Sequence, residues 1–369
     1  MSEARRQPAS SRGRMILVAG VAVVAIIAVV AGIAATRVFG PAGSSPAKIT
    51  TGSTSHIHAL IVNADGSLIL GDQDGLWHGD AGGGHWRTYG PPVSNLMPIS
   101  VARMGSTFLA GTTTLSNKLF GAPHGLFRST DGGRHWKRAA LPDLDVLRLA
   151  TNPAVPDVVV AFAGPDSNHG VGHGGIWASS NRGSSWQRIN AAVGNQAENG
   201  LILLPGHPFT VLFASTFNIS RSSDGGRTWH TVGTNMPEPL ALANALGDPR
   251  AAYAGAADGV WVSADAGSSW HLAWHGPPAP VVSADGTGDL YVYAGGLKPD
   301  LYRLVDATRS TGGPGLKFAA VRLSNPVPSA QPIVLVPDPS HRNRVYVSYN
   351  FPLRLYVSAD AGRAWKQML

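Results

Sequence analysis

The tag Ser-x-Asp-x-Gly-x-x-Trp recurs along this chain at intervals that leave very few architectures open to it. Clean copies occupy residues 129–136, 222–229, 263–270 and 358–365. A fifth, 179–186, carries Asn181 in place of the Asp, and a sixth, 79–86, keeps Gly83 and Trp86 without the Ser or the Asp. The tryptophans fall at 86, 136, 186, 229, 270 and 365, giving gaps of 50, 50, 43, 41 and 95. The last gap is two ordinary ones with a worn copy between, in which Phe318 stands where the Trp belongs. Seven modules of this length predict an all-β, seven-bladed β-propeller of four-stranded blades.

The tag has a mechanical reason. A tight reversal between two strands uses Asp to accept nearby backbone N–H groups and Gly to accept positive φ. The Trp then opens the outer strand and packs between blades, where losing a buried ring costs about 3–5 kcal/mol. The structural set is Asp131 and Trp136, Asn181 and Trp186, Asp224 and Trp229, Asp265 and Trp270, and Asp360 and Trp365. These residues resemble the Asp-box, or BNR, repeat of propellers such as bacterial sialidases, the sortilin luminal domain and the photosystem II assembly propeller of cyanobacteria. The resemblance covers residues 56–369. It implies a fold and leaves function open, because Asp-box turns are scaffold on the outer rim and the fold hosts unrelated activities.

Residues 1–55 are read separately. A run of 22 residues, 15–36, carries no charge and is built from Ile, Leu, Val, Ala and Gly almost throughout. At 1.5 Å per residue it spans about 30 Å, the thickness of a bilayer's hydrocarbon. Arg5, Arg6, Arg12 and Arg14 precede it, against Arg37 and Lys48 after it. The positive-inside rule therefore leaves residues 1–14 as a cytoplasmic basic tail and exports the propeller behind a single-pass signal-anchor in the cell membrane. A cleaved signal peptide is the alternative, with 32–34 as a small-residue cleavage site. The apolar run exceeds the about 7–15 residues of such peptides. The chain has no Cys, which removes lipoprotein anchoring and disulfides. Residues 37–55, rich in Gly, Ser, Pro and Ala, read as a linker.

Of the net charge of +7, four Arg and one Glu in residues 1–14 supply +3, leaving +4 over the rest. The remaining cations are scattered, which argues against nucleic acid as a partner. No phosphate-binding Gly-rich loop or nucleophile elbow occurs. The body reads as short alternating strands, with 56–62, 67–70, 76–77 and 86–89 as strands a to d of blade 1. The last blade is also complete, so closure is expected from face packing between blades 7 and 1.

In a propeller the d–a and b–c connections open on one face, around the channel mouth, and the tag turns lie on the other. The mouth then receives His56, Asp72 and Asp74, and two long b–c loops, 111–124 and 164–174, with Lys118, His124, Asp166, Asn168, His169 and His173. Glu198 and Glu238 fall in d–a connections of that face. His56 and His58, at i and i+2, share one side of an innermost strand. Together with His124, His169 and His173 they form a candidate divalent-metal set, imidazole suiting Zn or Cu. Read blandly, His56 and His58 line a wet channel and the loop histidines are solvated. His85 and His135 are expected on the opposite surface. Sialidases of the resembling family need three arginines around a carboxylate, a Tyr activated by a Glu, an Asp acid and an Arg-Ile-Pro-type motif. That motif is absent, and Glu198 and Glu238 are the only Glu after residue 14.

Two functions follow. One is an extracytoplasmic, membrane-tethered, non-catalytic binding or assembly scaffold with a protein or glycan ligand at the mouth. The other is a sialidase-like glycoside hydrolase with an unrecognised carboxylate pair. The topology is testable at once: protease added to intact cells should remove the propeller and spare the N-terminal tail. A mature N-terminus after residue 34, or propeller free in the medium, identifies a signal peptide instead.

Overall fold

The computed structural model describes residues 48–369 apart from 114–124, 142–143, 165–172, 195, 246–247, 307–317 and 329. The described strands form seven four-stranded antiparallel sheets, each in chain order. Their first strands contact one another in a ring, Ile57–Val62 of blade 1 meeting both Pro98–Met104 of blade 2 and Val334–Pro337 of blade 7. Strand a is therefore innermost, and the seven-bladed expectation holds. No described helix is long and apolar enough to cross a membrane. Residues 15–36 lie outside the described residues.

Burial falls from the second strand outward. Strand b is buried along its whole length in every blade, as in Val159–Gly164 and Thr210–Ala214. Both of its faces meet a neighbouring blade, so it reads as a continuous apolar run. This corrects the expectation of alternation throughout; alternation survives on strand a, where Pro239–Asn244 has one face toward the channel. Strand d is the most exposed, and in blades 1, 2 and 7 it is only two residues long, as in Lys137–Arg138.

The tag builds each c–d turn by one repeated network. Ser222 Oγ donates to Asp224 Oδ1 at 2.8 Å and accepts the Gly226 N–H at 2.8 Å. Asp224 Oδ1 also accepts the N–H groups of Arg227 and Thr228. The copies at Ser129, Ser263 and Ser358 repeat this. Asn181 substitutes because its Oδ1 fills the same acceptor role toward Ser179 and Ser185, while its Nδ2 donates to Ser185 Oγ. The turn is tied to the a–b turn of its own blade by a backbone bond, Ala266 N–H to Arg250 O at 2.8 Å in blade 5.

The same Gly touches the preceding blade. Gly226 has φ +93°, and a Cβ placed on it would stand 2.5 Å from Ile189 Cβ of blade 3. Gly133 meets Tyr89 and Gly362 meets Leu323 in the same way. The Trp rings seal these seams: Trp136 packs with blade 1, Trp186 with blade 2, Trp229 with blade 3, Trp270 with blade 4 and Trp365 with blade 6. Phe318 fills the seam between blades 5 and 6 against Tyr253, as its place in the repeat implied. Trp136 and Trp270 are buried, whereas Trp86, Trp186, Trp229 and Trp365 are half-buried, because strand d is the outer edge. In the worn tag, a Cβ on Gly79 would lie 2.8 Å from the Trp86 ring, which occupies the space a Ser would need.

Closure is by packing, without an interleaved strand, as expected. Residues 48–55, read as the end of the linker, lie on the propeller: Ile49 sits in the core of the 7/1 seam and Ser55 is fully buried. The apolar face of that seam extends further along the chain than strand a itself. Gly226→Ala should lose about 2–4 kcal/mol in chemical denaturation, from positive φ and interblade overpacking together. Gly132→Ala, with φ +75° and nothing within 4 Å, should lose only the backbone part, about 1 kcal/mol.

Candidate functional site

The mouth end of blade 1 gathers the sequence's strongest candidates. The b–c reversal there is tight: Leu68–Asp72 passes through Gln73 and Asp74 into Gly75–Gly79, Gly75 taking φ +150°. Asp72 ends a strand and is fully buried, which corrects its reading as an open loop residue. Its Oδ1 accepts Asp74 N–H at 2.8 Å, Gly75 N–H at 2.9 Å and Trp77 Nε1–H at 2.9 Å. Its Oδ2 is buried without a hydrogen-bond partner. Burial pushes the carboxyl up to about 6, against the pull of those donors. Asp74 is half-buried and takes Gln73 Nε2–H at 3.3 Å.

His56 and His58 do share a side, their rings 4.7 Å apart and edge-to-face. His56 is 8% exposed, not a solvated channel residue. Its backbone N–H donates to Gln73 Oε1 at 2.6 Å, and Nδ1 lies 3.0 Å from Thr54 O, which places the ring proton on Nδ1. His58 stands at an irregularity in the register between Ile57 and Ala59, with Nε2 buried and unpartnered. Burial, then the neighbouring His56, holds it down at about 3, so it is neutral at physiological pH.

Blade 7 reaches into the same place. Asn350 donates from Nδ2 to Ile57 O at 3.1 Å and accepts Ile57 N–H on Oδ1 at 2.8 Å, so one amide stands in for a strand pairing. Phe351 N–H adds a bond to Ser55 O, and its ring lies 5.4 Å from His56. The sequence reading missed this clasp; the signal available was the short Asn-Phe-Pro turn at 350–352. It also missed Arg148 on strand a of blade 3, Asp145–Thr151, whose Nε lies 3.2 and 3.1 Å from the two carboxylate oxygens of Glu198. The Glu198 side chain is 7% exposed and held by this pair.

His124, Asp166 and His169, with Lys118 and Asn168, lie outside the described residues. His173 is described and exposed. Among the described residues, no group of three His, Asp or Glu is placed to hold a metal. His85 and His135 are on the far surface as expected, each against its local carboxylate, Asp80 or Asp131. The long connections run 113–124 and 165–174, against b–c connections of two residues at 73–74 to five at 295–299 in the other blades.

The buried Asp72 gives a pH test. Its folded value of about 6 lies above the about 3.9 of an unfolded Asp, so the folded state holds the extra proton between these limits. Stability is therefore lost as pH rises through that window and stays lost above it. Asp72→Asn, which keeps the acceptor Oδ1, should be more stable than the parent by about 2–3 kcal/mol at pH 7. The gap should close below about pH 4 in denaturation followed against pH.

No protein-family model matches this chain. Photosystem II assembly protein Ycf48 of Synechococcus sp. (strain JA-2-3B'a(2-13)) is 27% identical over 178 residues, covering 46% of this chain and 46% of that protein. Among solved structures, an ancestral GH74 enzyme superposes with TM-score 0.62 at 15% identity, over 87% of this chain and 47% of that one. The GH74 enzyme of Niastella koreensis gives 0.56 at 17%, over 74% and 45%. A structure of YCF48 bound to D1 peptide gives 0.50 at 13%, over 74% of this chain and 82% of that one. The chain thus spans about half the length of its curated relative and of the two GH74 enzymes. The structural likenesses show the propeller fold, and the sequence match is to an assembly protein.

Proposed function

We propose that this chain is an Asp-box propeller, tethered by residues 15–36 and standing outside the cytoplasm, that acts as a non-catalytic binding or assembly scaffold. Its ligand is a segment of another protein, held at the mouth in the quadrant of blades 1 to 3. The observation that carries this reading is the state of four described mouth carboxylates. Asp72 is buried under three donors, Glu198 is held by Arg148, Asp258 accepts Trp261 Nε1–H at 2.8 Å, and Asp300 accepts Leu301 N–H and Arg322 Nε–H. Acids committed to local structure in this way are poorly placed to serve as the exposed pair that glycoside hydrolysis requires. The match to a protein named for assembly, and a fold neighbour holding a peptide, support the same reading.

The long loops 113–124 and 165–174, on a rigid ring, are the natural grip. They also carry the loop histidines of the proposed Zn or Cu set, His124, His169 and His173, to which His56 would add its Nε2. Replacing both loops by the two-residue reversal of blade 5, Ala257-Asp258, should leave the melting transition in place. It should also abolish capture of the protein partner that the full-length protein draws from solubilised membranes. Capture of the same partner by the loop-less variant defeats the proposal. Turnover of chromogenic glycosides by the parent, lost in Glu198→Gln, would establish the hydrolase reading in its place. Bound Zn or Cu after dialysis, lost with the loops, would add the metal.

A further inference from the structure

The two faces of the ring differ in what their turn tips offer to solvent. Tag turns end in polar or charged side chains, with Arg134, His135, Arg227, Ser268 and Arg363 exposed. On the mouth face the arc from blade 4 to blade 7 mixes large apolar tips with carboxylates. Phe217 of blade 4 is 83% exposed, Leu297 of blade 6 104% and Phe351 of blade 7 46%. Among them stand Glu238, in the connection entering blade 5, and Asp258, in the b–c turn of that blade. Glu238 is exposed, keeps φ +36° between Pro237 and Pro239, and meets no cation among the described residues. Asp258 commits Oδ1 to Trp261 Nε1–H, which leaves Oδ2 for a partner.

These groups sit on one continuous, hydrogen-bonded rim. Residues 215–218 close with Ser215 N–H to Asn218 O at 2.9 Å, which fixes Phe217 at the apex. Ile219 pairs with Val232, at the head of the connection that carries Glu238. Ala257 N–H then reaches Pro237 O at 3.3 Å, Gly276 N–H reaches Asp258 O at 3.0 Å, and Gly295 N–H reaches Pro278 O at 2.7 Å. Pro237, Pro277 and Pro278 are exposed along the same rim. Their ring-fixed φ leaves little backbone freedom to lose on binding.

We infer that this arc is a second protein-docking surface, and that its occupant is an extended basic segment of a partner protein. Apolar side chains of the segment cover Phe217 and Leu297, and a Lys or Arg between them meets Glu238 and Asp258. Charge on the rim selects this occupant. A phosphate-bearing surface meets the carboxylates with like charge. A wholly apolar partner buries them unpaired, which is costly. A cationic segment covers the tips and pairs the acids together. Lys298, beside Leu297, repels a cation at blade 6, and Arg322 there is already paired with Asp300. The basic residues therefore belong over blade 5. A second copy of this chain offers Arg134, Arg227 and Arg363 on its tag face, but those polar turns give Phe217 and Leu297 nothing apolar to meet. The surface lies apart from the loops of blades 2 and 3 and does not rest on the role proposed for them.

The probe is a library of random short peptides displayed on phage. It is panned against the purified full chain and depleted on the double variant Phe217→Ser with Leu297→Ser. Surviving sequences are synthesised with a fluorophore and titrated by anisotropy. They are expected to combine Lys or Arg with apolar residues, and to bind the parent about tenfold or more tighter than either single Ser variant. Glu238→Gln with Asp258→Asn, the latter keeping the acceptor for Trp261, should weaken them about tenfold and flatten the salt dependence. Glu238→Gln alone, at an exposed side chain, repeats the charge test if Asp258→Asn shifts the melting transition. The inference is overturned if no sequence survives depletion, or if the survivors bind the acid-less variant as tightly as the parent. Concentration-dependent association of the parent that disappears in the double Ser variant, with no peptide selected, makes a second copy the occupant and overturns it too. Peptide binding by the loop-less variant and partner capture by the double Ser variant keep this surface and the scaffold reading separately measurable.

Discussion

The ring depends on one serine hydroxyl in each of five blades. In the four clean tags and the Asn181 copy the Ser Oγ donates to the Asp or Asn oxygen and accepts the Gly N–H four residues on, so one atom fixes both ends of the turn. That pins a Gly at positive φ, where its missing Cβ lets the preceding blade approach. The Trp three residues later then falls into the seam. Turn chemistry and blade packing are thus one device. The worn tag of blade 1 shows the coupling in reverse: without the Ser, the Trp86 ring moves over Gly79, and its Nε1 lacks the carbonyl partner the other tag tryptophans find.

The ring closes at the seam between blades 7 and 1, and the mouth end of that seam is polar. Asn350 imitates a strand pairing to Ile57, Asp72 is buried beside it, and Ile49 extends the apolar seal. The arrangement trades some carboxylate desolvation for a rigid b–c turn, since the three donors on Asp72 Oδ1 hold that turn in one conformation. It also explains why histidines that looked like exposed ligands are partly structural: His56 is locked by Gln73 and Thr54, and His58 is kept neutral by burial.

Polarity is then distributed by face and by blade. The tag face is a surface of small polar turns. The mouth face divides into a half with long loops on blades 2 and 3 and a half with rigid apolar tips on blades 4, 6 and 7.

The repeat spacing by itself determined the blade number, the stand-in role of Phe318 and the assignment of turns to faces, because these follow from local turn chemistry and period. Loop length likewise marked blades 2 and 3 before any coordinates. Burial at the mouth was decided only by tertiary structure. Asp72 in an Asp-Gln-Asp-Gly turn reads as solvent-exposed turn chemistry, yet at the end of strand b it is fully buried, with Trp77 Nε1–H and two backbone N–H groups turned onto its Oδ1. Glu198 acquires its partner from Arg148, fifty residues earlier, once strand a of blade 3 and the connection before blade 4 lie side by side. Periodicity records what each blade needs locally, whereas burial and pairing across seams depend on which blades become neighbours when the ring closes.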